Sequence, residues 1–476
     1  MHTVEKIGGT SMSDYQAVRD NIILNSGGSP YGRMFVVSAY GGVTNSLLEH
    51  KKSGEPGIYT LFASAIEDDT WLKKTEELKL TLHGINAQLF IEEHSLAQAN
   101  AFIDERLTSA RACLRNLQRL CQHGHFSLAS HLDTVREMLA SIGEAHSAYN
   151  MTQLLQRDGI NARFVDLTGW QSDAHISLDE RIKLALQDID VEKELPIVTG
   201  YAHCDSGLMS SFDRGYSEMT FSRLAVLSGA SEAIIHKEFH LSSADPRLVG
   251  ESNAVPIGRT NYDVADQLAN LGMEAIHPKA GRGLREQKIP LRVKNTFEPE
   301  HAGTLITTDY VSDRPCVEII AGAKGVHAVE VFDQDMTGSV HKYDTEILSV
   351  IKRFKAHIVS KDINANTVTH YLSTNLKTVK RICAVLAEKF PEAEINQQKV
   401  AVVSAIGSDL KIPGMLAETV RAIAAESISV LAIHQTMRQV DMQFVVAEDD
   451  YETTVKSLHQ ALVEVHQHGR AICLAS

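Results

Sequence analysis

Short apolar runs that stop at glycine punctuate the first half of the chain. Thr3–Ile7 runs into Gly8-Gly9-Thr10-Ser11, Arg33–Val37 into Ser38 and then Gly41-Gly42, and Leu195–Thr199 into Gly200-Tyr201. Runs of this kind read as strands of a buried parallel sheet, each followed by a loop that can face a ligand. Between them the spacing turns helical, from about residue 60 to residue 158, with Leu132, Val135, Met138, Leu139 and Ile142 on one face. Further strands are expected at Ala162–Leu167, Ala233–His236, Leu291–Lys294 and Thr304–Ile306, with helices up to about Ser228 and over Asp263–Leu271. This alternation predicts an α/β domain over residues 1–310: a largely parallel sheet with helices on both faces, and a ligand site outside the carboxyl ends of the strands.

The last third has a different rhythm. Ala328–Phe332, His357–Val359 and Thr367–Leu372 read as strands, with helices at Glu346–Phe354 and Leu376–Phe390. A matching series follows: Val400–Ser404, Leu416–Ala424, Ile428–Ile433, Met442–Val446 and Tyr451–Val465. Equivalent points such as Ile351 and Ile423, or Ile358 and Val430, are offset by roughly 72 residues, so one small α+β unit is repeated in tandem, over 316–396 and 397–476. Such a pair suits ligand sensing or subunit pairing, and no cluster of titratable groups there suggests chemistry.

Charge and cysteine usage narrow the classes. A formal net charge of −14 argues against a nucleic-acid partner, which would favour a basic face. The 6 cysteines include no Cys-x-x-Cys pair, and the 22 histidines show no metal-ligand spacing, so no metal-ligating residue is assigned. No apolar stretch is long enough to cross a bilayer, and the start lacks a leader-like apolar run. A reducing cytoplasm is the expected location.

The opening stretch carries the chemistry. With no Cβ at Gly8 and Gly9, backbone N–H groups can approach phosphate oxygens, and a helix expected from about Tyr15 would point its positive end the same way. Lys6 adds a mobile charge for an anionic group in transfer. The spacing is not that of a Walker A loop. Arg214 and the small residues after it, at the start of a helix, form another anion site.

Taken together, Lys6 to Ser11, Val36 to Asn45, Gly143-Glu144, Arg214 to Glu218, Ala244 to Arg247, His277-Pro278 and the C-terminal repeats resemble the aspartate kinases of the amino-acid-kinase fold. The resemblance implies a three-layer αβα sandwich followed by two ferredoxin-like ACT domains, with strands exchanged between them. It implies transfer of the ATP γ-phosphoryl to the β-carboxylate of L-aspartate, with Mg²⁺. Lys6, Arg214 and Glu218 would be catalytic. Thr44, Glu144, Ser211 and Arg214 would hold aspartate, Glu144 on its ammonium and Arg214 on its α-carboxylate. Lys6, Gly8, Gly9, Ser11, Ser38, His236, Lys237, Ser242, Asp245 and Arg247 would face ATP. The pattern departs from the family at Glu218 (usually Asp), Tyr216 (usually Gly), His236–Ser242 and Glu274 (often Lys), and in this it is similar to the specialised branch serving ectoine synthesis. A homodimer or larger homo-oligomer is expected, with an amino-acid effector such as lysine or threonine at the repeats. A kinase for another carboxylate, such as glutamate, and a weakly active amino-acid sensor are the alternatives.

Overall fold

The computed structural model describes residues 1–24, 29–51, 53–64, 69–172, 174–212, 215–273 and 275–464. Arg214 and Glu274 lie outside the described residues. The chain divides into two units, Met1–His240 with Ile276–Thr308, and Leu241–Ala275 with the chain from Asp309 onward. The segment Leu241–Ala275, expected in the first domain, groups by its packing with the second unit. Its apolar residues Ala244, Ile257, Val264, Leu268 and Leu271 share a core with Val317, Ile319 and Val402.

In the first unit the apolar runs form strands β1 (Thr3–Ile7), β2 (Arg33–Val37), β3 (Ala162–Val165), β4 (Leu195–Thr199) and β5 (Glu232–Lys237). Strand β6 (Arg259–Asn261) falls in the second unit, and β7 (Leu291–Asn295) and β8 (Thr304–Thr307) return to the first. The order β3-β4-β2-β1-β5-β7-β8 is parallel except for β8. The chain places β2 on one side of β1 and β5 on the other, which makes the end of β1 a topological switch point where such sheets bind ligands. Helices cover both faces. The Tyr216–Ser228 helix brings Glu218 to the Lys6 side, whereas Arg33, on the Glu5 side, donates to the carbonyls of Ile22 and Ile23.

The helix Leu132–Arg157 is buried without interruption from Leu139 to Ala148. Its small residues there, Ala140, Ser141, Gly143, Ala145, Ser147 and Ala148, let it run inside the unit rather than over its surface. Gly143 marks the tightest point: a Cβ there would lie 2.9 Å from the Ala39 Cβ and 3.0 Å from Val43 Cγ1. The loop after β2 is thereby held against this helix.

The second unit is one antiparallel sheet of β9 (Ile319–Phe332), β10 (His357–Ile363), β11 (Thr367–Ser373), β12 (Glu394–Ile406), β13 (Val430–Gln435) and β14 (Asp441–Ala447), in the order β10-β11-β9-β12-β14-β13. Each ferredoxin-like half needs four strands. Both use the central pair, so β12 closes the first half and begins the second. This explains why β9 and β12, with 14 and 13 residues, outrun the short strands expected from their apolar cores. The polar segment Glu394–Lys399 carries no hydrophobic alternation, yet it pairs along β9 from Phe332 to His327. The equivalent pair Ile351 and Ile423 is buried in both helices.

Candidate active site

Backbone hydrogen bonds stitch three loops together at the carboxyl ends of the strands. Gly8 N–H donates to the His236 carbonyl (3.1 Å), Ser38 N–H to that of Ile7 (3.2 Å) and Gly200 N–H to that of Val37 (3.0 Å). Gly8 is extended and caps a helical turn, Gly9–Met12, so the helix begins earlier than Tyr15.

Strand alternation puts Lys6 on one face and Glu5 and Ile7 on the other. Lys6 is only 6% exposed, and its Nζ lies 3.7 Å from Glu218 Oε1. Glu218 sits in the first turn of the Tyr216–Ser228 helix and accepts the His277 N–H at 2.5 Å. Burial pushes its carboxyl up, but Lys6, Lys237 and the His277 N–H outweigh it, and the net shift is downward. Glu218 is therefore a fixed anion between two lysines.

Glu144 is the opposite case. Burial dominates and pushes its carboxyl up to about 8, despite Lys6, the Tyr216 hydroxyl and the N–H groups of Tyr201 and Ala39. Its Oε2 is buried with no hydrogen-bond partner. A buried acceptor without a donor is costly, and an arriving ammonium would relieve it. One turn further on, the Ser147 hydroxyl donates to the Ser38 carbonyl at 2.8 Å, so one helix fixes both Glu144 and the second loop. Thr44 stands in the first turn of the Val43–Leu47 helix, half-buried. The Ser211 hydroxyl turns to the Ser206 carbonyl (3.4 Å), while its own carbonyl accepts from Lys279 (3.2 Å).

Other expected residues lie elsewhere. The His236 ring is on the Glu5 face, 2.7 Å from Glu5 Oε2 and 4% exposed, so it does not share the Lys6 face; its neighbour Lys237 does. The Ser11 hydroxyl is buried and accepts from Thr296 (2.9 Å), which directs it into the fold rather than toward a ligand. Ser242, Asp245 and Arg247 belong to the second unit. There Asp245 caps the Pro246–Val249 turn and pairs with Arg247 at 2.8 Å. Sequence reasoning gave no role to His277, Tyr201, Ser147 or Glu137. Tyr201, directly after a strand-ending glycine, had the clearest signal. A cavity of about 500 Å³ in the same unit is lined by Glu137, Tyr201, Ser206, Ser210 and Trp170, and not by Lys6 or Glu218.

The arrangement sets a buried lysine and a glycine turn in the same unit as a buried carboxyl, one oxygen of which has no hydrogen-bond partner. The amino acid kinase family matches residues 1–295, and an ACT domain matches residues 403–462. The chain belongs to the amino acid kinase family. Within it, the chain is similar to "Aspartate kinase Ask_Ect" of Stutzerimonas stutzeri (strain A1501), 54% identical over 477 residues and 100% of both chains. It is 24% identical to the aspartokinase of Candida albicans, over 97% of this chain and 90% of that one. Among solved structures, E. coli aspartokinase III in complex with aspartate and ADP covers 97% of this chain and 100% of its own, with a TM-score of 0.73 at 20% identity, a likeness of fold.

Proposed function

We infer that the chain is an aspartate kinase, transferring the γ-phosphoryl of ATP to the β-carboxylate of L-aspartate to give 4-phospho-L-aspartate. The observation that carries this reading is buried Lys6 beside the glycine turn, together with a buried Glu144 whose Oε2 has no hydrogen-bond partner. The acceptor carboxylate is ionised at neutral pH and needs no general base. Catalysis then rests on alignment and on charge stabilisation by Lys6 and the N–H groups of Gly8 and Gly9. Glu144 takes the substrate ammonium, with Thr44, Ser211 and Arg214 completing the amino-acid site. Glu218 holds Lys6 in place, and Lys237 and Ser38 flank the phosphates. Mg²⁺ enters with ATP as part of the substrate, held mainly by phosphate oxygens and water. The name of the 54% identical relative supports the ectoine branch. Exposed Leu431 and Ile433 on the edge strand β13 support pairing of subunits through the second unit. Among the described residues no helix is long and apolar enough to cross a membrane, in keeping with a cytoplasmic enzyme.

The test is hydroxamate formation by the full chain with MgATP, hydroxylamine and either aspartate or glutamate, with lysine and threonine added as effectors. Aspartyl hydroxamate is expected. Product with glutamate alone would reassign the acceptor, and none with either would make the chain an amino-acid sensor. A rate indifferent to lysine, threonine and their mixture would remove those two effectors.

A further inference from the structure

Glu137 has no part in the chemistry above, yet its surroundings are built around it. It lies seven residues before Glu144 on the Leu132–Arg157 helix, two turns away and on the same face. The side chain is buried, and both its oxygens are used. Oε2 accepts the Tyr201 hydroxyl at 2.7 Å, and Oε1 accepts the Ser210 N–H at 3.0 Å. Gly207 makes room for it: its φ of +66° is left-handed, and a Cβ there would stand 2.6 Å from Glu137 Oε1. These bonds all reach the 201–210 segment, and that segment leads to the amino-acid site by two routes. Ser210 is followed at once by Ser211 in the Leu208–Phe212 turn. Tyr201 gives its hydroxyl to Glu137, and Gly200 just before it packs so closely on Glu144 that a Cβ there would lie 3.2 Å from its Cδ. The Tyr201 ring meets Tyr216 edge-on at 5.7 Å, and the Tyr216 hydroxyl also reaches Glu144.

We propose that Glu137 is a positioning residue of the amino-acid site, fixing through Tyr201 and Ser210 the groups that orient Glu144 and Ser211. The proposal rests on the reading of Glu144 as the ammonium partner. It makes the 201–210 segment a specificity element for the acceptor and leaves the nucleotide side independent of it.

Two variants test this, each in the full chain. Tyr201→Phe keeps the ring and removes only the hydroxyl, and Glu137→Gln keeps the shape and removes the charge. Losing a hydrogen bond to a buried charge predicts a KM for aspartate raised by about tenfold or more in each. The KM for ATP should stay within about twofold of wild type. Because both substitutions cut the same chain of contacts, the double variant should be little worse than the poorer single one. If Glu137→Gln does not fold, Tyr201→Phe decides alone. An unchanged KM for aspartate in folded Tyr201→Phe, or an equal rise in the KM for ATP, overturns the proposal. A wild-type chain that forms no aspartyl hydroxamate overturns the parent reading and this one with it; an active wild type with indifferent variants removes only the role of Glu137.

Discussion

Replacing Glu144 by Gln separates what this residue costs the fold from what it gives the site. Gln keeps the shape and can still accept from the neighbouring N–H groups, but it carries no charge to desolvate. In the folded chain the Glu144 carboxyl is pushed from an ordinary 4.5 up to about 8 by burial. The unfolded chain releases that proton near 4.5, so between these values the folded state binds more protons. Wild-type stability must therefore fall as pH rises through this window. At 1.36 kcal/mol for each tenfold change, the penalty is below about 1 kcal/mol at pH 5 and roughly 4 kcal/mol at pH 8. Glu144→Gln lacks it, so the variant should match the wild type at pH 5 and exceed it by several kcal/mol at pH 8. Urea unfolding of both chains at the two pH values, without aspartate, measures the difference. Saturating aspartate should raise the wild-type midpoint at pH 8 and leave that of the variant nearly unmoved, because its ammonium has lost its partner. A stability difference that is the same at both pH values, or a wild type more stable at pH 8, would refute the argument that burial of Glu144 outweighs the groups that favour its charge.

Two further outcomes follow from the same sheet. Lys6→Ala should lower kcat about a hundredfold or more in the hydroxamate assay, as expected for loss of a charge acting on the transferring group; activity within a few-fold of wild type would mean that Lys6 does not act there. Glu5→Gln should destabilise the chain by about 3–5 kcal/mol at neutral pH, because Arg33 (2.6 and 2.9 Å) would lose its buried counter-charge and His236 (2.7 Å) a charged hydrogen-bond partner. Burial pushes the Glu5 carboxyl up, but bonds to His236 and Arg33 hold it well below the usual range. Its contribution is thus present above the ordinary carboxylate value and lost as pH falls further, so the gap between wild type and variant should close in strong acid; a gap that widens instead contradicts this.

The parts legible in the sequence are those written in local pattern. Strands β1, β2 and β4 announced themselves as apolar runs ending in glycine, and Lys6 stood next to such a signal, whereas Glu144, beside a helical glycine, took its expected role from the family resemblance alone. The structure buries both side chains. What escaped depends on partners far away in the chain. Alternation in β5 separates His236 from Lys237 onto opposite faces, but which face carries the lysine is set by pairing with β1, where Glu5 claims the His236 ring. The length of β12 could not be read from Glu394–Lys399, because its pairing comes from β9 and not from an apolar face. Glu137 looked like any helical glutamate, since its meaning depends on a tyrosine hydroxyl and an amide more than sixty residues away.

The way Leu241–Ala275 leaves and re-enters the first unit decides how this protein can be dissected. The chain departs just beyond Lys237 and comes back at His277, and both residues act on Glu218. Cutting after Thr308 to obtain a free-standing kinase would strip this insert of Val317, Ile319 and Val402, leaving Ile257, Val264 and Leu268 without their packing neighbours. The frayed insert would hang from the two points that fix the Lys6 counterion, so such a fragment should aggregate and lose its lysine geometry together. A workable fragment must keep residues 241–275 together with the residues that pack on them, and so cannot simply end after Thr308.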